Sequence, residues 1–359
     1  MPPAVTVEAP ASPAPVAPIV VKPPLSWAGT TFDWGTQISA GIFGVGPSYI
    51  GTENDHVFMT WSLSPSYFIF WRPRHQLSVG ARLTVVEELT NSDTTAQKRS
   101  PQLADIPLGL DYAATLFTRG HGPSLGGVRT LHDPTLLGEG DWRTWGLLWS
   151  YLVFPTSPES RASGVNLGTS IGAGLRQQLP LLGGDSRWLR YLLVTATERW
   201  SHAFIGASTG ILNQPITSSI HDPVVPNTLS HTLGLTLSIH RDLQLDTTFQ
   251  LRNGFAASVG SGGPTCVQIA TGCVAPAPIA GGGATRRTST RFSVGLSYEI
   301  IPELGVALGY LNDASQLTEA GTNRGFFYSS NAEFYTSVTF SFDRLYQRIF
   351  TTPSAGPAI

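Results

Sequence analysis

Apolar and polar residues alternate with a period of two along most of the chain. The clearest example is the segment 231–252, where two alternating runs flank the tripeptide His240-Arg241-Asp242. One face of the two runs carries the apolar residues Leu233, Leu235, Leu237, Ile239, Leu243, Leu245, Phe249 and Leu251. This period is typical of β-strands that have one apolar and one polar face, so the segment predicts an antiparallel hairpin.

The same pattern predicts twelve strands. They lie near 31–45, 57–71, 75–88, 104–117, 142–154, 163–178, 188–203, 231–239, 243–252, 291–300, 304–310 and 332–343. Short connections near 72–74, 179–187, 240–242 and 301–303 alternate with longer Gly-, Ser- and Pro-rich segments, and the long segment 118–141 is the exception. Such alternation is typical of an up-and-down sheet with short turns at one end and long loops at the other.

Composition favours a membrane barrel over a soluble β-sandwich. Charged residues make up 13% of the chain, lysine occurs at Lys22 and Lys98 alone, and the polar face is mostly Gly, Ser, Thr and Gln. The longest apolar runs, such as Tyr67–Trp71, are far shorter than the 18 or more residues of a transmembrane helix. We therefore expect an all-β fold, a transmembrane antiparallel up-and-down β-barrel of about 12 strands, closed because lipid leaves no backbone group unpaired.

Aromatic residues at strand ends agree with this interpretation. Membrane barrels carry aromatic girdles where the apolar face meets the two interfaces. We assign to these girdles Trp34, Trp61, Trp71, Trp145, Trp149, Tyr151, Trp188, Trp200, Tyr298 and Tyr310.

Two segments resemble bacterial outer-membrane β-barrel proteins of the porin- or transporter-like class, with no single family assigned. The final strand, Tyr335–Phe342, resembles the C-terminal signal recognised by the barrel-assembly machinery, although here further residues follow it. The segment Phe154–Ser160, with the Gly-alternating strand after it, looks like a loop-to-strand pattern of transporter-type barrels. The resemblance implies an outer-membrane location with both termini periplasmic. It also implies contact with outer-membrane lipid and lipopolysaccharide, and handling by the assembly machinery.

Three regions are expected along the chain. Residues 1–26 are Pro/Ala-rich and predict a periplasmic linker or disordered tail, either a passive spacer or an arm that reaches a periplasmic partner. Residues 27–345 form the predicted barrel, and residues 346–359 form a C-terminal tail. The printed start lacks the basic and apolar regions of a signal peptide, so we expect that an export signal preceded it.

Ionisable residues of both signs are predicted on the inward face. We expect the pore lining to include Arg82, Glu88, Asp111, Arg176, Asp246, Arg252, Arg291 and Glu299. They fit either a salt-bridge network that fills the lumen or a polar constriction in a narrow pore. Small inward residues, such as Gly172 and Gly174, leave space and favour the pore.

Other chemistry has little support in the sequence. Ser201-His202 and Ser230-His231 are sequential pairs on strands, so the two side chains of each pair point to opposite faces. We therefore expect no enzyme, no catalytic residues, no metal site and no cofactor. A net charge of −2 without a basic stripe argues against nucleic acid as a partner. Cys266 and Cys273 lie seven residues apart and predict a local disulfide.

These observations lead to three hypotheses for function. The first is a channel or transporter for small polar solutes through a narrow polar lumen. The second is a structural or docking barrel of an envelope-spanning machine, acting through its external loops and its N-terminal arm. The third is an outer-membrane hydrolase.

Overall fold

The structure is a computed structural model. It describes residues 25–43, 56–72, 74–90, 100–119, 142–162, 164–181, 188–206, 225–255, 267–269, 272–274, 286–315, 325–329 and 332–350. No helix within these segments is both long enough and apolar enough to cross a membrane.

The fold is an antiparallel, up-and-down sheet of fifteen strands. In chain order the strands are β1 (Thr31–Ser39), β2 (Val57–Ser64), β3 (Ser66–Arg72), β4 (His75–Ala81), β5 (Leu83–Glu88), β6 (Gln102–Leu103), β7 (Ile106–Arg119), β8 (Trp142–Phe154), β9 (Val165–Pro180), β10 (Tyr191–Ile205), β11 (Asn227–Ser238), β12 (Leu243–Phe255), β13 (Val267–Ile269), β14 (Gly272–Val274), β15 (Arg286–Ile301), β16 (Leu304–Ser315) and β17 (Ala332–Ser341). Strands β13 and β14 pair with each other in a separate small sheet. Two helices, α1 (Pro158–Ala162) and α2 (Phe342–Phe350), and the 3-10 turn Ala40–Phe43 complete the described elements.

The predicted count of twelve strands is wrong, because two of the predicted strands are interrupted and the short strand β6 lies in a segment predicted to be a loop. Pro65 separates β2 from β3, and a proline has no N–H to give to a neighbouring strand. Arg82 separates β4 from β5, and residues 104–105 separate β6 from β7. Single hydrogen bonds still bridge the breaks, from Ala81 N–H to the Pro65 carbonyl (3.1 Å) and from Arg82 N–H to the Pro107 carbonyl (3.1 Å). The small β13–β14 hairpin was also not predicted, because it lies in a segment expected to be a loop.

The sheet was predicted to be closed, but among the described residues its hydrogen-bonded order is open, beginning at β3 and ending at β6. Between these ends it runs β4-β7-β8-β9-β10-β11-β12-β15-β16-β17-β1-β2-β5. The first strand pairs with the last, with Thr31 opposite Ser341, and its other edge pairs with β2, with Thr31 opposite Ser64. The two interrupted strands pair with each other twice, β2 with β5 and β3 with β4.

Residues paired across neighbouring strands share a face of the sheet, so the register defines two faces. One continuous row contains Asp111, Trp149, Gly172, Arg199, Ser230 and Arg252. We call the face with this row the polar face. The opposite, apolar face exposes large side chains such as Leu148, Ile171 and Leu308, each more than half accessible.

The register corrects the assignment of four aromatic residues. Trp71 was predicted on the apolar face, but it pairs with Gln76 on the polar face; the other three lie on β8. Trp145, Trp149 and Tyr151 were predicted on the apolar face, but they share the polar face with Arg143. The residues between them, Leu148 and Leu152 among others, are exposed on the apolar face. Both faces of β8 carry bulky apolar groups, so alternation alone could not decide its orientation.

Candidate functional site on the polar face

All eight residues predicted to line a pore lie on the polar face. Arg252 belongs to the row given above, and six others pair with residues of the same face. The pairs are Asp111 with Trp149, Arg176 with Trp145, Asp246 with Gly295, Arg291 with Gln250, Glu299 with Gly305 and Glu88 with Phe58. Arg82 follows Ala81 of the apolar face, and its Nε donates to Ser64 Oγ at 3.2 Å. The lining of an open pore by these side chains stays a prediction.

Arg252 and Arg291 meet at a carboxylate that the sequence analysis missed. Asp313 accepts a short hydrogen bond from Arg252 Nη2, and its Oδ2 lies 3.8 Å from Arg291 Nη1. All three side chains are between about three-tenths and about half exposed, so water reaches them. Asp313 was missed because its strand was predicted to end at Tyr310, whereas β16 continues to Ser315.

A second group forms around Tyr151. Its hydroxyl donates to Asp111 Oδ1 at 2.6 Å, and Arg199 and Arg82 are near enough to interact with it electrostatically. Arg199 also interacts electrostatically with Arg252, and this links the two groups along the same row. The sequence left the orientation of Glu198 and Arg199 undecided, and the register places Arg199 on the polar face and Glu198 on the apolar face.

The remaining predicted residues lie apart from these two groups. Asp246 accepts hydrogen bonds from Thr236 Oγ1 (2.6 Å) and Ser297 Oγ (3.1 Å). Glu88 is buried at the end of β5 and accepts from Thr90 Oγ1 at 3.0 Å. Glu299 lies near the opposite end of the strands and pairs with Arg344 of α2.

Charges of opposite sign occupy different strands of the polar face. The arginine side, on β8, β9, β10, β12 and β15, carries Arg143, Arg176, Arg199, Arg252 and Arg291. The acidic side, on β16, β17, β1, β5 and β7, carries Asp313, Glu333, Asp33, Glu88 and Asp111. Three residues are exceptions, because Arg82 lies on the acidic side, and Asp246 and Glu299 lie on the arginine side.

A polar cavity of about 230 Å³ lies where the two sides meet. Its lining includes the polar residues Gln37, Thr60, Arg291, Ser293 and Tyr335. These groups can donate and accept hydrogen bonds, so the cavity suits water or a small hydroxylated or charged solute.

The polar face is packed most densely at the turn end, which we define as the end of the strands that holds the connections 74, 239–242 and 302–303. There Trp145, Leu147, Tyr191 and Leu193 form a buried cluster with Ala113. Arg143 and Gln178 are buried beside it, with 5% and 1% of their surface exposed. This cluster fills space in front of β7 to β10 at the turn end.

Two aromatic rings lie flat against the polar face because glycines face them. A Cβ on Gly172 would come well under 3.0 Å from the Trp149 indole, and a Cβ on Gly109 would meet the Tyr151 ring equally closely. A side chain at either glycine would collide with the neighbouring ring, so each glycine leaves the space that its ring occupies. The rings therefore cover the sheet instead of projecting away from it.

The described part of one long connection packs on the apolar face. The ring of Phe326 lies 4.5 Å from that of Phe249, and the ring of Phe327 lies 4.9 Å from that of Phe292. Asn312, which is fully buried, donates to the Phe326 carbonyl at 3.1 Å. Residues 325–329 therefore leave the space in front of the polar face free.

Within the part of the chain that the structure describes, the Ser and His side chains of the two sequential pairs are not brought together. His202 Nδ1 bonds Asn227 Oδ1 (2.9 Å) on the apolar face, whereas Ser201 accepts from Arg199 Nε (3.1 Å) on the polar face. His231 pairs with Glu198 on the apolar face, at 2.9 Å. The described residues contain no group of three or more His, Cys, Asp or Glu that could hold a metal ion. Cys266 and the side chain of Cys273, the predicted disulfide, lie outside the described residues, as do residues 1–24 of the predicted linker 1–26.

The structural neighbours of this chain are outer-membrane β-barrel proteins. No protein-family model and no curated protein matches the sequence. An outer membrane channel from Pseudomonas putida F1 is 12% identical, with a TM-score of 0.48 over 91% of this chain and 100% of its own. The NanC porin is 9% identical, with a TM-score of 0.35 over 87% and 98% of the two chains. LpxR from Salmonella typhimurium is 8% identical, with a TM-score of 0.36 over 87% and 100%.

Proposed function

We propose that the sheet closes into a barrel that spans the bacterial outer membrane and conducts small polar solutes through the space in front of its polar face. Both termini would then lie on the periplasmic side, and lipid and lipopolysaccharide would surround the apolar face. The observation that carries the proposal is the pairing of the first strand with the last, combined with a polar face turned away from the exposed apolar residues.

Closure is supported by the strands at the two ends of the hydrogen-bonded order. Segment β3 continues β2 through Pro65, and β6 continues into β7 through residues 104–105. Each interrupted strand has a paired neighbour on both edges over part of its length, since β2 pairs with β1 and β5, and β4 pairs with β3 and β7. The end segments β3 and β6 are each paired on one edge, with β4 and β5 respectively. A sheet without a free edge is what a bilayer requires, because lipid offers no hydrogen bonds to an unpaired strand.

The direction of the two faces supports a membrane barrel over a soluble one. Leucines, isoleucines and aromatic residues such as Trp34, Ile171 and Leu308 are exposed along the apolar face. Contiguous apolar surface of this extent is not stable in water and is expected against acyl chains. Most long connections lie at the end opposite the short turns, as in barrels with periplasmic turns. The exception is 120–141, which joins β7 to β8 at the turn end.

Three features of the polar face support conduction through a narrow passage. The rings of Trp149 and Tyr151 lie against glycines, and residues 325–329 pack outside. A polar cavity remains beside Arg291 and Tyr335. The buried cluster around Trp145 and Leu147 restricts the turn end, so this end would limit the size of the solute.

The separation of charges would act on a solute that enters. In a closed barrel the arginine side faces the acidic side across the lumen, and a transverse field orients polar molecules that carry both charge signs. We therefore infer that small polar solutes pass more readily than apolar molecules of equal size.

The test is conductance of the refolded full-length chain in a planar lipid bilayer. We expect stepwise currents, a shift towards cation selectivity in Arg176→Ala and a shift towards anion selectivity in Asp246→Ala. Leu175→Ala is the matched control, since Leu175 is the exposed apolar-face neighbour of Arg176; its selectivity should equal that of the unmodified protein. A silent bilayer, with the protein shown to be folded by its heat-modifiable gel mobility, would contradict conduction and favour a docking barrel.

A further inference from the structure

Helix α2 begins where the last strand of the sheet ends, at the turn end. The N–H of Phe342 donates to the Thr30 carbonyl at 3.2 Å, and the N–H of Ser341 donates to the Glu303 carbonyl at 2.9 Å. These bonds join the start of the helix to the beginning of β1 and to the β15–β16 turn. The position of the helix at the rim of the sheet is therefore fixed by backbone contacts.

One side of α2 bonds to the sheet through its polar residues. Arg344 Nη1 donates to Glu299 Oε2 (2.9 Å) and to the Pro302 carbonyl (2.6 Å). One turn later, Arg348 Nη1 donates to both carboxylate oxygens of Glu303, at 3.2 and 3.3 Å. The Glu303 side chain is 2% exposed, so the two arginines hold the polar side of the helix against the β15–β16 turn.

The other side of α2 is apolar and exposed. Positions 342, 346, 349 and 350 recur at helical spacing, so Phe342, Tyr346, Ile349 and Phe350 lie on one stripe. Their exposed fractions rise along the helix, from 37% for Phe342 to 58% for Ile349 and 67% for Phe350. This orientation is unusual for a helix in water, because its polar side is turned towards the protein and its apolar side away from it.

The exposed stripe is continuous with the apolar face of the sheet. Phe340 lies on that face, where the register places it opposite Phe32, and its ring is 5.1 Å from the ring of Phe342 in an edge-to-face contact. The stripe then continues through Tyr346, whose ring is 4.7 Å from that of Phe350 and 5.4 Å from that of Trp27. A surface that begins on the lipid-facing band therefore extends without a break along the helix.

We propose that α2 is an interfacial helix whose stripe of Phe342, Tyr346, Ile349 and Phe350 inserts into the acyl–headgroup boundary of the leaflet at the turn end. The proposal rests on the membrane barrel proposed above. An amphipathic helix that lies in the membrane plane buries its apolar side at this depth, and aromatic residues are favoured there. The occupant is lipid, because the same surface is already continuous with the band that faces acyl chains. The residues after the last strand would thus anchor the rim of the barrel in the leaflet.

The test places a fluorescent label at single cysteines in the full-length protein reconstituted in phosphatidylcholine vesicles. Cys266→Ser and Cys273→Ser remove the native thiols, and Ile349→Cys carries the label on the apolar stripe. The matched control is Gln347→Cys, on the opposite side of the same helix. We expect lipids with a nitroxide near the headgroup to quench the label at position 349 at least about twofold more than the label at position 347, with aqueous iodide giving the reverse order.

A third label separates this proposal from the barrel itself. Leu308→Cys lies on the exposed apolar face of β16 and should be quenched by lipid nitroxides if the sheet faces acyl chains. Lipid quenching at 308, combined with equal iodide quenching at 349 and 347, would overturn the interfacial helix alone. Protection of position 349 from both quenchers would also overturn it and indicate a protein partner instead. Absence of lipid quenching at 308 would refute the membrane barrel. Phe350→Cys repeats the measurement if the label at 349 prevents the heat-modifiable gel mobility of the folded protein.

Discussion

The indole of Trp149 occupies the space that a side chain on Gly172 of the neighbouring strand would need. Replacing Gly172 by alanine should therefore force the ring away from the sheet, at a cost of about 1–3 kcal/mol in the free energy of unfolding. Urea unfolding of the refolded protein, followed by gel mobility and tryptophan fluorescence, measures this cost.

The matched control for this substitution is Gly234→Ala, also on the polar face. The nearest atom to a Cβ there, Thr195 Cβ, lies at 3.7 Å, which is ordinary contact. We expect Gly234→Ala to unfold at the same urea concentration as the unmodified protein. Equal stability of the two variants would show that the Trp149 ring is not confined by Gly172.

The packed cluster at the turn end predicts which substitution widens the passage. Trp145 is 4% exposed within that cluster, so Trp145→Ala should remove bulk from the proposed constriction and raise the single-channel conductance. The same change should lower the free energy of unfolding by about 3–5 kcal/mol, because it leaves a cavity. Leu148→Ala, three residues further along the same strand but on the apolar face, should leave the conductance unchanged. An equal conductance in all three proteins would place the constriction elsewhere.

The carboxylate shared by two arginines predicts a change in ion selectivity. Asp313→Asn removes the negative charge beside Arg252 and Arg291, so the reversal potential in a salt gradient should shift towards anions. Glu198→Gln changes the net charge equally, but on the apolar face, and should leave the reversal potential in place. Selectivity that responds equally to both substitutions would mean that net charge, and not the polar face, determines it.

A hydrogen-bonded pair of polar side chains on the apolar face predicts an unusual effect on stability. Glu198 and His231 bond each other at 2.9 Å in the middle of β10 and β11, where leucines surround them. Charged groups that face lipid are costly, so replacing both by leucine should leave the free energy of unfolding unchanged or raise it by about 1 kcal/mol. His231→Leu alone should lower it, because Glu198 then lacks its partner. A double variant less stable than this single variant would argue that the face meets water or another protein.

Alternation predicted most of the sheet because most strands have one apolar and one polar face. It located the first and last residues of β11 and β12 within a few positions, and it assigned Asp246 and Arg252 to the correct face of the sheet. The prediction worked there because a shift of one residue would have exchanged the two faces completely.

Where both faces are bulky, the same reasoning failed. Strand β8 places Trp145, Trp149 and Tyr151 opposite leucines, and the expectation of aromatic girdles assigned these rings to lipid. The useful signal was Arg143, which shares their parity and fixes the polar face. Asp313 was missed because its strand was predicted to end too early. Arg199 was missed because it directly follows Glu198, and alternation did not show which of these two charges lies on the polar face. The interruptions at Pro65 and Arg82 depend on pairing between strands, which a one-dimensional pattern does not contain.

The pairing of Thr31 with Ser341 also sets an order of events in time. The first strand of the sheet finds one of its two neighbours only after nearly the whole polypeptide has been made, so this contact has close to the largest sequence separation that the chain allows. Until then β1 and β16 each present an open edge, which is a template for unwanted pairing with other chains. We therefore expect a chain truncated before residue 332 to aggregate, and we expect a chaperone to be needed to guard these edges until the last strand arrives.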